Sequence, residues 1–322
     1  MKKMLFIMNP YAGKRRANKY LADILEMFNR ADYLVTVHMT AGPGDATGVV
    51  QALAPGMDIV VCCGGDGTFN EALTGIYGYA NAAVGCLPFG SGNDFLRTYG
   101  TREEFNDLDA QLAGSAVDID LMQTNLGLSA TICAAGLDAQ VAYGIPQFRR
   151  IPFCGGEMAY ALSIVKQLCG HIGRNVTFTI DGEELTVDCL MCAVCNGRTY
   201  GGGFCAAPEA QPDDGWLDVY IIRKVSRVTI AKLLGMYKSG KHFQNGQLVR
   251  AAEPYFIYRR AKQVSLRAAD GRGPIVATAD GECAPKEQIT VQVQPLAGRI
   301  LLPKPAFERF AAQRTAQSAD RT

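Results

Sequence analysis

Ten consecutive residues constrain this chain more than any other stretch: Cys63, Gly64, Gly65, Asp66, Gly67, Thr68, Phe69, Asn70, Glu71 and Ala72. They follow the apolar run from Asp58 to Cys62, which reads as a buried strand. A helix-like segment opens at about Thr68, so the order is strand, glycine-rich turn, helix. Glycines let the backbone turn tightly and let a bulky anion approach it closely. Unpaired N–H groups at a helix start favour a phosphate. Asp66 adds a carboxylate inside the turn, and a carboxylate beside a phosphate site points to Mg²⁺. A purely structural strand-to-helix turn would show the same glycines.

Better-known phosphate motifs do not fit. The dinucleotide fingerprint G-x-G-x-x-G, started at Gly65, meets Asn70 where its third glycine belongs, and started at Gly90 it meets Phe95. A P-loop fails at Gly13-Lys14, which is followed by Arg15 and has Met8 in place of the first glycine.

Strand and helix alternate through the first hundred residues. Strands are expected at Met4–Met8, Tyr33–Met39, 58–62 and Ala83–Leu87, and helices at Asn18–Phe28 and Asp45–Leu53. A short helix is expected to about Thr74, and another at Phe95–Tyr99. This alternation predicts a parallel sheet with helices on both faces, whose ligands bind at the carboxyl ends of the strands. The turns at Asn9–Lys14, Gly64–Gly67 and Pro88–Asp94 all fall at such ends. After about Ala116 the pattern becomes strand-rich. Strands are expected at Val117–Leu121, Leu128–Ala134, Val176–Ile180, Leu185–Val194, Leu217–Ile222, Tyr255–Tyr258, Gln263–Leu266, Ile275–Ala279 and Ile289–Val293. The only helices expected there are Gly156–Leu168 and Arg227–Lys238, the latter capped by Ser226. That predicts a β-sandwich or barrel-like second domain. A last helix is expected at Pro305–Gln313, followed by a disordered polar tail, 315–322.

A net charge of +1 gives no electrostatic reason to expect nucleic acid. No apolar run approaches 18 residues, so no transmembrane helix is expected. The segment Met1–Met8 reads as a first strand rather than a signal peptide, and a cytoplasmic location is the default. Of the 11 cysteines, Cys189, Cys192 and Cys195 have a spacing found in iron–sulfur runs. The fourth ligand would fall at Thr199, and strand alternation would turn Cys192 away from Cys189 and Cys195. Reduced thiols are the expectation. The three histidines, His38, His171 and His242, are too scattered to argue a zinc site or a catalytic triad.

Three ordered segments then carry a family resemblance: Asn9-Pro10-x-Ala12-Gly13-Lys14, Gly64-Gly65-Asp66-Gly67-Thr68-x-Asn70-Glu71, and Pro88-x-Gly90-Ser91-Gly92-Asn93-Asp94. Together they resemble the diacylglycerol-kinase catalytic domain of soluble bacterial lipid kinases, and are similar to sphingosine and ceramide kinases. The Gly-Gly-Asp-Gly-Thr core alone is shared with NAD kinases and phosphofructokinases. The segments Asn196–Phe204, Ala207–Asp218 and Asp280-Gly281-Glu282 look like the lipid-kinase second domain, so the resemblance spans about residues 3–303.

The resemblance implies two domains. A Rossmann-like α/β domain would comprise 1–115 plus 299–314, and a β-sandwich 116–298, with the final strand and helix returning to the first domain. It implies a kinase that moves the γ-phosphate of ATP to a lipid hydroxyl, diacylglycerol giving phosphatidate. The alternatives are a sphingoid base, phosphatidylglycerol, NAD, or a nucleotide-binding regulator without catalysis. It assigns ATP to Asn9, Pro10, Gly13, Lys14, Thr40, Gly64, Gly65, Asp66, Gly67, Thr68, Asn70, Ser91, Asn93 and Asp94. Many members carry Thr where this chain has Ser91. Lys14, Asp66 and Asp94 would surround the catalytic Mg²⁺. Glu282 matches the proton acceptor, with Asp66 second in that role. A second, structural Mg²⁺ would sit on the Asp214 carboxylate and the carbonyls of Gln211 and Trp216. A kinase of this kind implies a peripheral position on the inner face of the cell membrane. Arg149-Arg150 beside Ile151–Phe153, and Arg223-Lys224 with Arg227, are the basic candidates for that contact. Bacterial relatives imply a homodimer, although no patch in the sequence marks an interface.

Overall fold

The computed structural model describes residues 1–320 except 16, 80–81, 91, 150 and 152–155; side chains at 14–15, 17–18, 149, 156–157 and 316–320 also lie outside the description. Two compact units divide the chain, Met1–Ile119 with Leu296–Thr322, and Asp120–Pro295.

The first unit runs β1 (Lys2–Met8), α1 (Ala17–Arg30), β2 (Tyr33–Met39), α2 (Asp45–Leu53), β3 (Ile59–Gly64), α3 (Asp66–Ile76), β4 (Ala83–Pro88), α4 (Arg102–Asn106) and α5 (Leu108–Leu112). Its strands lie in the order β4-β3-β1-β2, all parallel; Phe6 of β1 sits opposite both Val37 and Val61. Met4 to Met8 are fully buried, as are nearly all side chains of β3 and β4. A parallel strand covered on both faces has to be apolar throughout, which explains the unbroken runs. The edge strand β2 is only partly covered and leaves Leu34, Val37 and Met39 exposed. The α1 residues Ile24 and Phe28 bury one helix face, and the Phe28 ring lies 6.4 Å from Phe6.

The second unit continues with β5 (Ser115–Thr124), β6 (Gly127–Ser129), β7 (Ile132–Gly136), α6 (Leu137–Arg149), α7 (Gly156–Cys169), β8 (Arg174–Ile180), β9 (Glu183–Cys195), β10 (Leu217–Arg223) and α8 (Arg227–Lys238). It ends with β11 (Phe243–Gln244), β12 (Gln247–Leu248), β13 (Phe256–Ala261), β14 (Gln263–Ala268), β15 (Ile275–Ala279), β16 (Glu282–Lys286) and β17 (Gln288–Leu302). The order β16-β15-β7-β9-β8-β14-β17 is antiparallel, and β10 joins β9 to β13. Both faces are buried. Leu217, Val219 and Ile221 of β10 enter one core, while Tyr220 and Ile222 enter another with Tyr237, Phe243 and Phe256.

The long strand β17 pairs with β14 near Val291, and its far end pairs parallel to β4 at Ile300. Helix α9 (Lys304–Asp320) follows. Its Arg309 grips the Glu104 carboxylate with two 2.6 Å hydrogen bonds and donates to the Tyr99 carbonyl at 3.2 Å. The helix is described as far as Asp320, and 315–320 contain no Gly or Pro.

Three further departures have physical causes. Helix α6 was hidden in the sequence by Gly144 and Pro146. Close packing overrides their poor helix propensity: a side chain at Gly144 would collide with Ser163 Oγ at 2.6 Å, and that hydroxyl donates to the Val141 carbonyl at 2.6 Å. The expected strand Leu128–Ala134 is split into β6 and β7 by a turn at 130–131. Finally, Cys189 and Cys192 share one core and Cys195 lies in the other. A register shift between Ile222 and Arg223, opposite Met191 and Cys189, adds a residue to the alternation and defeats the simple two-residue period. Burial pushes Cys133 up to about 12, and Cys189, Cys192 and Cys195 also well up, so these thiols behave as small hydrophobic groups.

Candidate functional site

In the first unit the candidate site is built almost wholly from backbone. Strand β3 ends at Gly64 and α3 begins at Asp66, with Gly65 in extended conformation and no side chain capping the helix. The loop after β4 folds onto this turn. Gly90 N–H donates to the Gly64 carbonyl at 2.7 Å, and Asp66 N–H to the Gly92 carbonyl at 3.1 Å. A Cβ on Gly90 would lie 2.3 Å from Gly65 Cα, and one on Gly65 would lie 2.8 Å from the Gly92 oxygen. Only glycine permits this approach. Gly67 differs, since nothing lies within 4 Å of where its Cβ would stand. The first turn of α3 is therefore open at Gly67, between the bonded N–H groups of Asp66 and Phe69.

Asp66 fastens the two loops. One carboxylate oxygen accepts Asp94 N–H at 3.1 Å, and the other accepts Phe95 N–H at 3.2 Å. A carboxylate is also the kind of oxygen ligand that a hydrated dication takes. Asn93 donates to the Gly90 carbonyl at 2.7 Å, while its buried Oδ1 has no protein partner among the described residues. Such an orphan acceptor is uncommon and fits a site meant to hold something more. Asp94 is buried and pairs with Arg97 at 3.3 Å.

The other turns converge on the same strand ends. Asn9 N–H donates to the Cys63 carbonyl at 2.9 Å, and Asn9 Nδ2 reaches Thr68 Oγ1 at 3.4 Å. Pro10 and Gly13 follow in that turn, Gly13 with φ of 57°. Thr40 N–H donates to the Met8 carbonyl at 2.9 Å, which brings the end of β2 alongside. Asn70 Oδ1 accepts the Thr74 hydroxyl at 3.3 Å one turn along α3. The sequence-predicted residues Asn9, Thr40, Gly64, Gly65, Asp66, Gly67, Thr68, Asn93 and Asp94 are thus gathered at one end of one sheet. The Lys14 side chain and Ser91 lie outside the described residues.

Two supporting groups were not singled out from the sequence. Glu71 accepts Ala46 N–H at 3.1 Å and so ties α3 to the start of α2. Asp45 accepts both His38 Nε2 at 2.9 Å and Ala41 N–H at 2.8 Å, which shapes the 40–45 turn. The histidine, followed by the backbone bond, lowers the Asp45 carboxyl below its usual range. Glu71 stood inside the quoted motif, but its long-range partner gave no sequence signal.

In the second unit Glu282 is exposed and opens β16 opposite Ala279. Gln211, Asp214 and Trp216 lie in one loop, yet they do not fit a second dication. The Asp214 carboxylate is already in an ion pair with Arg260 and accepts Trp216 N–H at 3.0 Å. Arg260 and Lys262 both lie over the Trp216 ring, at 5.5 and 4.9 Å. A Mg²⁺ there would have to share the Asp214 carboxylate with the Arg260 guanidinium already paired to it. Two of the basic candidates for membrane contact are employed in the fold. Arg227 donates to the Leu168 and Gly170 carbonyls at 2.5 and 2.8 Å, and Lys224 pairs with Asp188 at 3.4 Å. Arg149 and residues 150 and 152–155 lie outside the described side chains.

Comparison with known proteins adds three findings. Residues 3–124 match the family described as the diacylglycerol kinase catalytic domain, and residues 131–302 match the YegS C-terminal NAD kinase beta sandwich-like domain. The chain is 27% identical to a diacylglycerol kinase of Bacillus subtilis over 84% of its own length and 87% of that protein's. It is 25% identical to one of Staphylococcus saprophyticus over 82% and 85%. Among solved structures, a diacylglycerol kinase from Bacillus anthracis superposes with a TM-score of 0.69 at 18% identity, covering 94% of this chain and 97% of that one. An NAD kinase from Archaeoglobus fulgidus, solved in complex with ATP, gives 0.52 at 14%, covering 95% and 96%. The structural matches concern the fold alone.

Proposed function

Because the chain belongs to the diacylglycerol kinase family, with that catalytic domain followed by the YegS-type sandwich, we propose that it is an ATP- and Mg²⁺-dependent lipid kinase acting on diacylglycerol. The observation that carries this reading is the backbone seat at 64–67 and 90–94, closed by glycine contacts on one side and open at Gly67 on the other. Phosphoryl transfer depends on positioning and charge neutralisation more than on covalent catalysis. Main-chain N–H groups at the start of α3 and in the Asn9 turn would take the phosphates, and Thr68 and Asn9 would orient them. Asp66 would hold the metal through water; Mg²⁺ when bound supplies charge neutralisation on the β- and γ-phosphates. In the transfer, the lipid hydroxyl oxygen bonds to the γ-phosphorus and the bond to the bridging oxygen breaks. ADP leaves, and the hydroxyl proton passes to the Glu282 carboxylate.

The acceptor sits in a membrane, and the unit that carries Glu282 also exposes apolar side chains. Met158, Leu162 and Val165 are 56%, 38% and 57% exposed on α7, spaced to share a helix face. Such a stripe supports peripheral contact with lipid, and no helix among the described residues is long and apolar enough to cross a membrane.

The test is transfer from labelled ATP–Mg²⁺ to mixed micelles of diacylglycerol, monoacylglycerol, sphingosine, ceramide or phosphatidylglycerol, and to NAD in solution. Labelled phosphatidate is the expected product. Labelling of NAD alone would overturn the lipid assignment.

A further inference from the structure

We infer that Asp280 is the positioning residue for Glu282, holding the Asp280-Gly281 turn against the backbone N–H groups of residues 130–132. The inference rests on the assignment of Glu282 as proton acceptor. The Asp280 carboxylate accepts N–H groups from Ala130 at 2.6 Å, Thr131 at 3.2 Å and Ile132 at 3.0 Å, across about 150 residues of sequence. Its own N–H returns a bond to the Ile132 carbonyl at 3.1 Å. Burial raises its carboxyl, and these N–H groups act against that rise.

The turn itself demands such an anchor. Asp280 and Gly281 have φ of +43° and +98°, so both central residues of a two-residue hairpin are left-handed. Ala279 and Glu282 close it as the last pair of β15 and β16. A slip of one residue would send Glu282 to the opposite face of the sheet. The seat is fixed from its other side as well. Asn196 N–H and Gly197 N–H both donate to the Thr131 carbonyl at 2.9 Å. The buried Asn196 side chain bonds the Ala130 and Asp120 carbonyls at 2.9 and 2.8 Å. The turn is therefore docked on a segment that cannot follow it if it moves.

Asp280→Asn keeps the side chain's shape but points an amide donor at N–H groups that need an acceptor. We expect kcat for diacylglycerol to fall at least about 10-fold while ATP affinity stays within about two-fold, with faster hydrogen exchange at the amides of 130–132. Glu282→Gln should be inactive alone, and the double variant should be no slower than it. Gly281→Ala, which strains the same turn and leaves every carboxylate bond in place, should also lower kcat. It serves as the second probe if Asp280→Asn folds poorly. Wild-type kcat in Asp280→Asn or Gly281→Ala, with Glu282→Gln inactive, overturns the positioning role and leaves the base assignment standing. Wild-type kcat in Glu282→Gln overturns the base assignment and this inference with it.

Discussion

Gly67 and Gly90 belong to the same site and should respond to alanine in opposite ways. At Gly90 the added methyl lies 2.3 Å from Gly65 Cα, whereas carbon atoms rest about 3.5–4.0 Å apart, so the loops must part by more than about 1 Å. That movement strains the Gly90 N–H to Gly64 bond and the Asp66 N–H to Gly92 bond. Overpacking costs about 1–3 kcal/mol and each backbone bond about 1, giving about 3–5 kcal/mol. Against a typical domain stability of about 5–15 kcal/mol this is severe. At Gly67 the methyl meets nothing, and alanine in a helical turn adds up to about 1 kcal/mol of stability. If phosphate approaches that backbone, however, the methyl blocks a charge-assisted hydrogen bond worth about 1.5–3 kcal/mol, or about 10- to 100-fold in Kd. Urea unfolding of each variant and calorimetric titration with ATP–Mg²⁺ separate the effects. Gly67→Ala should unfold no earlier than the parent yet bind ATP weakly. Gly90→Ala should unfold early. Wild-type ATP affinity in Gly67→Ala would place the phosphates elsewhere, and an unshifted urea midpoint in Gly90→Ala would refute the close seat.

Asp138 supplies a test by pH. Burial pushes its carboxyl up to about 6 from 3.8, although Tyr200 donates to it at 2.9 Å. The folded state then holds the proton more tightly between about pH 4 and 6. Stability contributed by this group falls as pH rises through that window and is flat above it, by at most about 3 kcal/mol. Asp138→Asn should lose that slope, read as the difference between variant and parent in urea unfolding from pH 4.5 to 8; an unchanged slope would refute the assignment. Arg260→Gln leaves the largely buried Asp214 without its cation, and should lower the melting temperature and make it rise with millimolar Mg²⁺. The parent should melt alike in Mg²⁺ and in EDTA without nucleotide, and a drop in EDTA would restore the structural metal. Asp66→Asn should abolish transfer and also loosen the 90–95 loop, seen as faster exchange of the Asp94 and Phe95 amides; protected amides would confine Asp66 to the metal.

The glycine-built turns of the proposed nucleotide site were legible in the sequence for a reason particular to backbone chemistry. Close approach between Gly65 and Gly90 admits no other residue, so the geometry is written as glycine, and the parallel sheet beneath it as unbroken apolar runs. The acceptor side uses ordinary residues whose roles arise from partners far along the chain. Asp280 carries part of the family resemblance, but its anchoring bonds show only when residues 130–132 are seen to supply the donors. Asp214 reads as a metal ligand until Arg260 is found on it, 46 residues later. The same limit hid α6, where packing against Ser163 outweighed Gly144 and Pro146, and it misplaced Cys189, where one register shift reversed the expected face. Local rules fail at these places because the deciding contact is not local. Asp280 and Asp214 lie in two of the segments that carry the family resemblance, and that is where mutagenesis of the proposed acceptor side should begin.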